Sequence, residues 1–521
     1  MRRIAPLLTT VLLLGAATSS DHAALTQRQQ AQHVLNRLAF GARPGDVDRV
    51  LAIGINVWID RQLHPERISD RAVDERLGQY ATLSMSSPQI WQRYYAPVLE
   101  ARKKAKREAG DGNEDPKELR RELMRDIPPE QRPQHVMEEL AAQRIVRAAE
   151  SERQLNEVMV DFWMNHFNVF AGKGVDRFML TSYERDTIRP RIWGRFEDLL
   201  LATAKSPAML VYLDNARSVA DAEHRPAMPA RRMQQRQNSR KGGLNENYAR
   251  EIMELHTLGV DGGYTQKDVT DLARVFTGWS IERPEAGGEF VFRRQLHDAG
   301  DKTVLGIRFA RGGGIEEGER MIHILAHHPA TAHHIAYKLC QRLVADEPPQ
   351  ALVDRVAKRF LATDGDLRQT VKAVIDSPEF WDPKSYRAKV KSPFEYAISA
   401  VRALGASIDD PLPLARSLQQ IGEPLYGAQP PTGYSDKADA WVNSGALMNR
   451  LNFALALAAN RMPGIRSGPI TTSSVDEIAQ LLTGGALTAE TRMTIKEKVK
   501  ETTPPAEIVG LVLGSPEFQR Q

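Results

Sequence analysis

The sequence lacks most of the features that reveal a function quickly. Cys340 is the only cysteine among 521 residues, which excludes an intrachain disulfide and every cysteine-based zinc module. Beyond the N-terminus no stretch is long and uncharged enough to span a bilayer, so no transmembrane segment is expected in the mature chain. Charge of one sign is also scarce. The 70 Lys and Arg face 66 Asp and Glu, for a net charge of +4, and no global field draws in nucleic acid or an acidic membrane. There is no Gly-rich phosphate loop, no His-Glu-x-x-His helix and no Gly-x-Ser-x-Gly elbow, which leaves the common motif-defined chemistries without support.

What remains is an ordinary globular composition, 42% hydrophobic and 26% charged, able to bury a large core. The chain opens with Arg2 and Arg3, an apolar run from Ile4 to Ala17 and the small residues Ala17-Thr18-Ser19. That order is the order of a secretory signal over residues 1–20. Helix signals then recur to the end. Asp115-Pro116-Lys117-Glu118 and Ser392-Pro393-Phe394-Glu395 read as capping boxes with Pro at the first helical position, and Ser206-Pro207 opens a helix in the same way. One motif repeats: Val371 to Phe380 and Val509 to Phe518 both end in Ser-Pro-Glu-Phe. Strand signals are confined to Glu289–Phe292 and Thr303–Ile307, read as one short hairpin through Asp298 to Asp301. The expected architecture is all-α, with a main helical domain over 25–385, an inserted β-hairpin and a C-terminal helical subdomain over 386–521. Segments 102–121 and 216–243 are expected to be mobile. The second holds Arg231, Arg232, Arg236, Arg240 and Lys241 with no interleaved aromatics, so no nucleic-acid partner is expected.

The densest polar motif runs from Asn245 to Leu258-Gly259 and reads as one helix closed by glycine. At about 100° per residue, Asn247, Arg250, Glu251 and Glu254 share a narrow arc, while Tyr248, Ile252, Met253, Leu255 and His256 lie on the apolar side. Two readings stay open for that arc. It is either a solvated face with an Arg250–Glu254 ion pair, or the lining of a cleft with a carboxylate free for acid–base work. Thr265 and Asp268 suit a cap for the next helix, where Asp271 and Arg274 pair. His166 falls on the stripe of Leu155, Met159 and Phe162, the pattern of a core histidine satisfied by a neighbour, with Asp161 and Asn165 on its flank. Cys340, in an apolar run, reads as a buried thiol. His323 and His327 have the i,i+4 spacing of zinc ligands, but spacing supplies no third ligand, and no metal site is assigned.

The landmarks Leu35-Asn36-Arg37-Leu38-Ala39-Phe40-Gly41, Phe162-Trp163, Asn165-His166-Phe167, Tyr212-Leu213-Asp214-Asn215 and Asn245 to Gly259 resemble the large bacterial family known as domain of unknown function 1800. So do Gly263-Tyr264-Thr265, Thr277-Gly278-Trp279, His297-Asp298, His328-Pro329-Ala330-Thr331-Ala332, Pro430-Pro431-Thr432-Gly433-Tyr434 and Arg450-Leu451-Asn452-Phe453. The resemblance spans nearly the whole mature chain. It implies an exported helical protein, often encoded beside another exported protein, and no established activity or cofactor. The chain departs from the pattern in its Arg-rich stretch before Gly243, in Met164 and in His333-His334. A binding or assembly protein outside the cytoplasm is the leading reading. The rival is a hydrolase built from Glu251 or Glu254 with His166 and Asp214. Asn247, Arg250, Asn165, Asn215, His297 and Asp298 are the candidate ligand contacts. Intact-mass measurement of protein from the extracytoplasmic fraction is expected to give a chain starting near Ser19; a retained Met1 overturns the secretory reading.

Overall fold

A computed structural model describes residues 24–108, 125, 127–221, 224, 243–283 and 288–521. Helices make up nearly all of the regular structure, with three two-stranded sheets beside them. No described helix is long and apolar enough to cross a membrane. The caps read from sequence form where they can be followed. Ser392 and Glu395 close a reciprocal box at the start of Pro393–Ala403, and Thr265 with Asp268 does so for Gln266–Val275. Ser206 leads into Pro207–Tyr212 without a side-chain cap bond. The Asp115 box lies outside the described residues.

The hairpin differs from the sequence reading. Phe290–Phe292 pairs with Trp279–Ile281, and Lys302–Val304 pairs with Ile307–Phe309, so two hairpins replace one. Leu305-Gly306, both at positive φ, make a tight turn that pairs Thr303 locally, while Gly278 (φ +82°) lets Trp279 turn back beneath Phe290. The 102–121 segment is helical as far as 108, as the end of Ala96–Glu108. Of 216–243, the first residues pack: Val219 and Ala220 are buried, and Ala220 N–H donates to the Leu296 carbonyl. Most of the remainder of both segments lies outside the described residues.

One contiguous apolar core runs from Ala31 to Phe518 and crosses residue 385 without a break, so the helices after 386 form a layer of the same body. The repeated Ser-Pro-Glu-Phe turns behave alike. Ser377 and Ser515 cap the N–H of Phe380 and Phe518, both phenylalanines are buried, and their carbonyls accept from His33 and Lys391. Cys340 is buried, and burial pushes its thiol up to about 12.

Buried arginines stitch the layers together. Arg37 donates to the Val344 and Ser385 carbonyls, Arg402 to those of Gly41 and Ala149, and Arg450 to that of Lys391. Arg342 joins four segments, pairing with Glu395 at 2.7 Å, Asp161 at 3.1 Å and Asp436 at 3.8 Å. Arg144 also contacts Asp161. Arg144, Asp161, Arg342 and Asp436 line a small cavity of about 40 Å³ with Tyr426 and Tyr434, where burial pushes the Glu423 carboxyl up to about 7. Replacing Arg342 by Met strands Glu395 and leaves Asp161 to Arg144 and Asp436 to Lys338, and is expected to cost about 3–5 kcal/mol by urea unfolding. Adding Glu395→Gln should recover part of the loss; a single-variant loss below about 1 kcal/mol contradicts the assignment.

Candidate functional site

The polar motif after Asn245 does not form one uniform helix. Glu246–Glu251 is α-helical, and Ile252–Thr257 widens to i→i+5 bonding, with Leu258 N–H donating to Met253 O at 2.8 Å. Such π-turns rotate the residues after them relative to a regular helix. Tyr248, Ile252, Met253 and His256 are buried, as the apolar side requires, while Asn247 is exposed and Glu251 and Glu254 are half-buried. The Arg250–Glu254 pair does not form. Arg250 turns back to Glu246 (3.8 Å) and Gln266 (2.7 Å), because Thr270 and Gln266 hold the Glu246 carboxylate within its reach. Glu254 instead accepts from the Tyr264 hydroxyl at 3.1 Å. Burial, and then the charge of Glu254, push the Glu251 carboxyl up, with Arg250 opposing.

Next to this face stands a carboxyl that the sequence reading missed. Asp176 has no exposed surface, and neither of its oxygens has a hydrogen-bond partner among the described residues. It sits in the turn Asp176–Phe178, close enough to feel the half-exposed Lys173–Asp214 ion pair (2.7 Å). Burial, aided by the charge of Asp214 against that of Lys173, pushes its carboxyl up to about 9. Asp214 is held at φ +60°, a left-handed conformation that costs an L-residue energy. Tyr212, whose hydroxyl donates to the Gln429 carbonyl, feels both Glu251 and Asp176. Nothing in Gly174-Val175-Asp176-Arg177 signals this placement, since it depends on a turn and a distant helix end.

His166 does not join them. Its Nε2–H donates to the His256 carbonyl at 3.3 Å, and the rings of Phe162, Trp163 and Phe167 surround it. His256 and His334 stand beside it with ring centroids 6.1 Å away. Burial dominates, and these neighbours add to it, in holding His166 well below the usual histidine range; His256 is lowered to about 3 and His334 to about 4. No hydrogen bond or ion pair links His166 to Asp214, Glu251 or Glu254 among the described residues.

Four candidate ligand contacts are occupied by the fold itself. Asn165 clamps Tyr434 in both directions, donating to its carbonyl (2.8 Å) and accepting from its N–H (2.7 Å), and any Cβ at Gly433 would strike it. Asn215 donates to the Phe276 and Trp279 carbonyls. His297 bridges Thr277 and Glu317, and Asp298 holds Arg274 with both oxygens. Lys302, fully buried, completes that network on Glu317 at 2.7 Å. A tertiary tie consumes a side chain's bonding capacity, so these residues serve the hairpin and loop junctions.

His323 and His327, at the end of Ile315–Ala326, meet Glu197 from Phe196–Lys205. This third partner is contributed by a helix more than a hundred residues earlier, which spacing could not reveal.

The fold and these clusters define an all-helical body with hairpin satellites, knit by buried ion networks, that leaves one acidic face unsatisfied. The family model described as protein of unknown function (DUF1800) matches residues 33–520, and the chain belongs to that family. No match was found among curated proteins, and none among solved structures.

The raised carboxyl of Asp176 fixes a sign. The folded chain keeps a proton that the unfolded chain, titrating near 3.9, loses, so this group's contribution to stability falls as pH rises between about 4 and 9. Asp176→Asn removes that titration. It is expected to be near neutral at pH 4 and to stabilise by at least about 1 kcal/mol at pH 8, measured by denaturant unfolding at both pH values. Equal effects at the two would contradict the burial argument.

Proposed function

We propose that the mature chain works outside the cytoplasm as a non-catalytic binding protein. Its ligand face is formed by Glu251, Glu254 and Tyr264, with Tyr212, Lys173 and Asp214 over the Asp176 carboxyl. The N-terminal Arg2-Arg3 and apolar run support the export part of this reading. The observation that carries the binding part is Asp176. A buried carboxyl with two unpartnered oxygens is destabilising, and natural proteins keep such groups chiefly where function uses them.

The chemistry of the face selects a ligand class. Glu251 is raised by burial and by its neighbour Glu254, a repulsion that hydrogen-bond donors or a positive charge would relieve. Such a ligand is rich in hydroxyl or amine groups. A hydrolase on the same face would need a base within hydrogen-bond reach of its nucleophile or water. His166, one member of the hydrolase set named from sequence with Glu251 or Glu254 and Asp214, has its Nε2–H bonded to a backbone carbonyl and is enclosed by aromatic rings, which favours binding over turnover.

Thermal-shift titration of the mature chain with fully N-acetylated chitin oligosaccharides, as neutral polyols, and with spermidine, as a polyamine, tests this. One class is expected to raise the melting temperature by several degrees in the native chain and not in the Glu251→Gln, Glu254→Gln double variant. No shift from either at millimolar concentration overturns the ligand class. Release of shortened sugar or altered amine during the titration overturns the non-catalytic reading in favour of the hydrolase.

A further inference from the structure

We infer that Glu197, His323 and His327 form a site for one divalent transition-metal ion of the zinc class, with Asp364 supporting His327 from behind. The three ligand groups have atoms within 4.8 Å of one another. It lies apart from the Glu251 face and does not depend on the function proposed for it.

The geometry is close to what the ion requires. Zinc bonds of about 2.0–2.2 Å to nitrogen and oxygen, arranged tetrahedrally, separate the ligand atoms by about 3.3–3.5 Å. His323 Nδ1 lies 3.1 Å from each oxygen of Glu197, and His327 Nδ1 lies 3.8 Å from Glu197 Oε2. These two separations bracket the required one and the remaining pair of ligand atoms lies within 4.8 Å, so binding needs side-chain movements that include turning His327 Nδ1 from the His323 carbonyl toward the ion. The side chains are free to make them, being 58%, 33% and 29% exposed for His323, His327 and Glu197. One helical turn brings the two imidazoles side by side, with centroids 4.3 Å apart.

The surroundings are those of a metal-binding histidine. Ligating imidazoles almost always give their second N–H to a carboxylate or carbonyl, which fixes the ring and strengthens the ligand nitrogen. His327 Nε2 is 2.5 Å from Asp364 Oδ1. Asp364 is held there by the backbone: Phe196 N–H donates to Gly365 O and Leu367 N–H to Gly194 O, locking its turn against the strand of chain that leads into Glu197. Arg195 contacts the other Asp364 oxygen and offsets its charge. His327 Nδ1–H donates to the His323 carbonyl at 2.8 Å. On binding, that proton leaves to solvent and the Nδ1 lone pair goes to the ion. Three protein ligands leave a fourth position open to water, the layout of catalytic rather than structural zinc sites.

Isothermal titration of the untagged mature chain with zinc chloride in a non-chelating buffer tests the site. One equivalent is expected to bind with a micromolar or tighter Kd. His323→Ala and Glu197→Ala should each weaken it at least 30-fold, and Asp364→Asn by about 10- to 100-fold, the usual loss for an outer partner. Substitution by cobalt(II) should give the visible absorption of a tetrahedral centre. Because the replaced side chains are partly exposed, the metal-free melting temperature of each variant is expected to stay within a few degrees of the native chain, which separates lost ligands from lost fold. No saturable zinc uptake below 100 µM overturns the site. So does uptake that survives His323→Ala unchanged, or a preference for calcium over zinc.

Discussion

The architecture depends on the burial of the Arg342 guanidinium. A cation taken out of water costs several kcal/mol unless its partners are arranged around it beforehand. Here the partners come from different parts of the chain: Asp161 from the helix that ends at His166, Glu395 from a helix past residue 390, and Asp436 from the loop beyond Tyr434. Among the described ion pairs Glu395 depends on the arginine alone, while Asp161 is shared with Arg144 and Asp436 with Lys338. The network therefore forms only when the early helices, the middle helices and the C-terminal layer have all docked. It also explains why the apolar core passes through residue 385 without a seam. A boundary there would have to cut the ion network that makes the burial tolerable.

The same logic accounts for much of what stands out in the sequence. Arg37 and Phe40 of the first landmark, Asn165, the Pro430 to Tyr434 loop, Thr277-Gly278-Trp279, His297-Asp298 and Arg450 all have tertiary bonds to backbone or to buried partners. Their residue types were legible, and their helical setting was legible from caps and periodicity. Their task was not, because a clamp and a ligand contact use the same side chains. A polar residue amid apolar neighbours signals only that some partner exists, and the partner here is usually a carbonyl far away in sequence.

Other differences between sequence and structure have the same origin in distance or in small energy differences. Two hairpins replaced one because a local turn at Leu305-Gly306 competes well with a longer loop. The change from α to π bonding after Glu251 is invisible to a fixed 100° wheel, though it decides which way Glu254 faces. Arg250 had two acidic neighbours one turn away, Glu246 and Glu254. The pairing was settled by Gln266 and Thr270, side chains on another helix. By contrast, the burial of His256, His166 and Cys340 was legible from apolar periodicity, which depends on composition along one helix alone.

Subtracting the side chains that the fold consumes leaves a short remainder, and that remainder is where function has to be sought. Asp176 is part of it, because the fold would be more stable without its charge-bearing group. The left-handed backbone of Asp214 belongs beside it, since Asn or Gly would hold that conformation at lower cost. A carboxyl with both oxygens unpartnered and a strained neighbour within its electrostatic reach are not what packing alone would produce. Stability and function compete for the same residues, so the places where the structure is least satisfied are more informative about its work than the places where it is best bonded. By that criterion the Asp176 face outranks the histidine nest. The nest carries unpartnered nitrogens on His256 and Trp163, but both groups are neutral there, burial keeping the imidazole so, and the penalty is smaller than for a charged group.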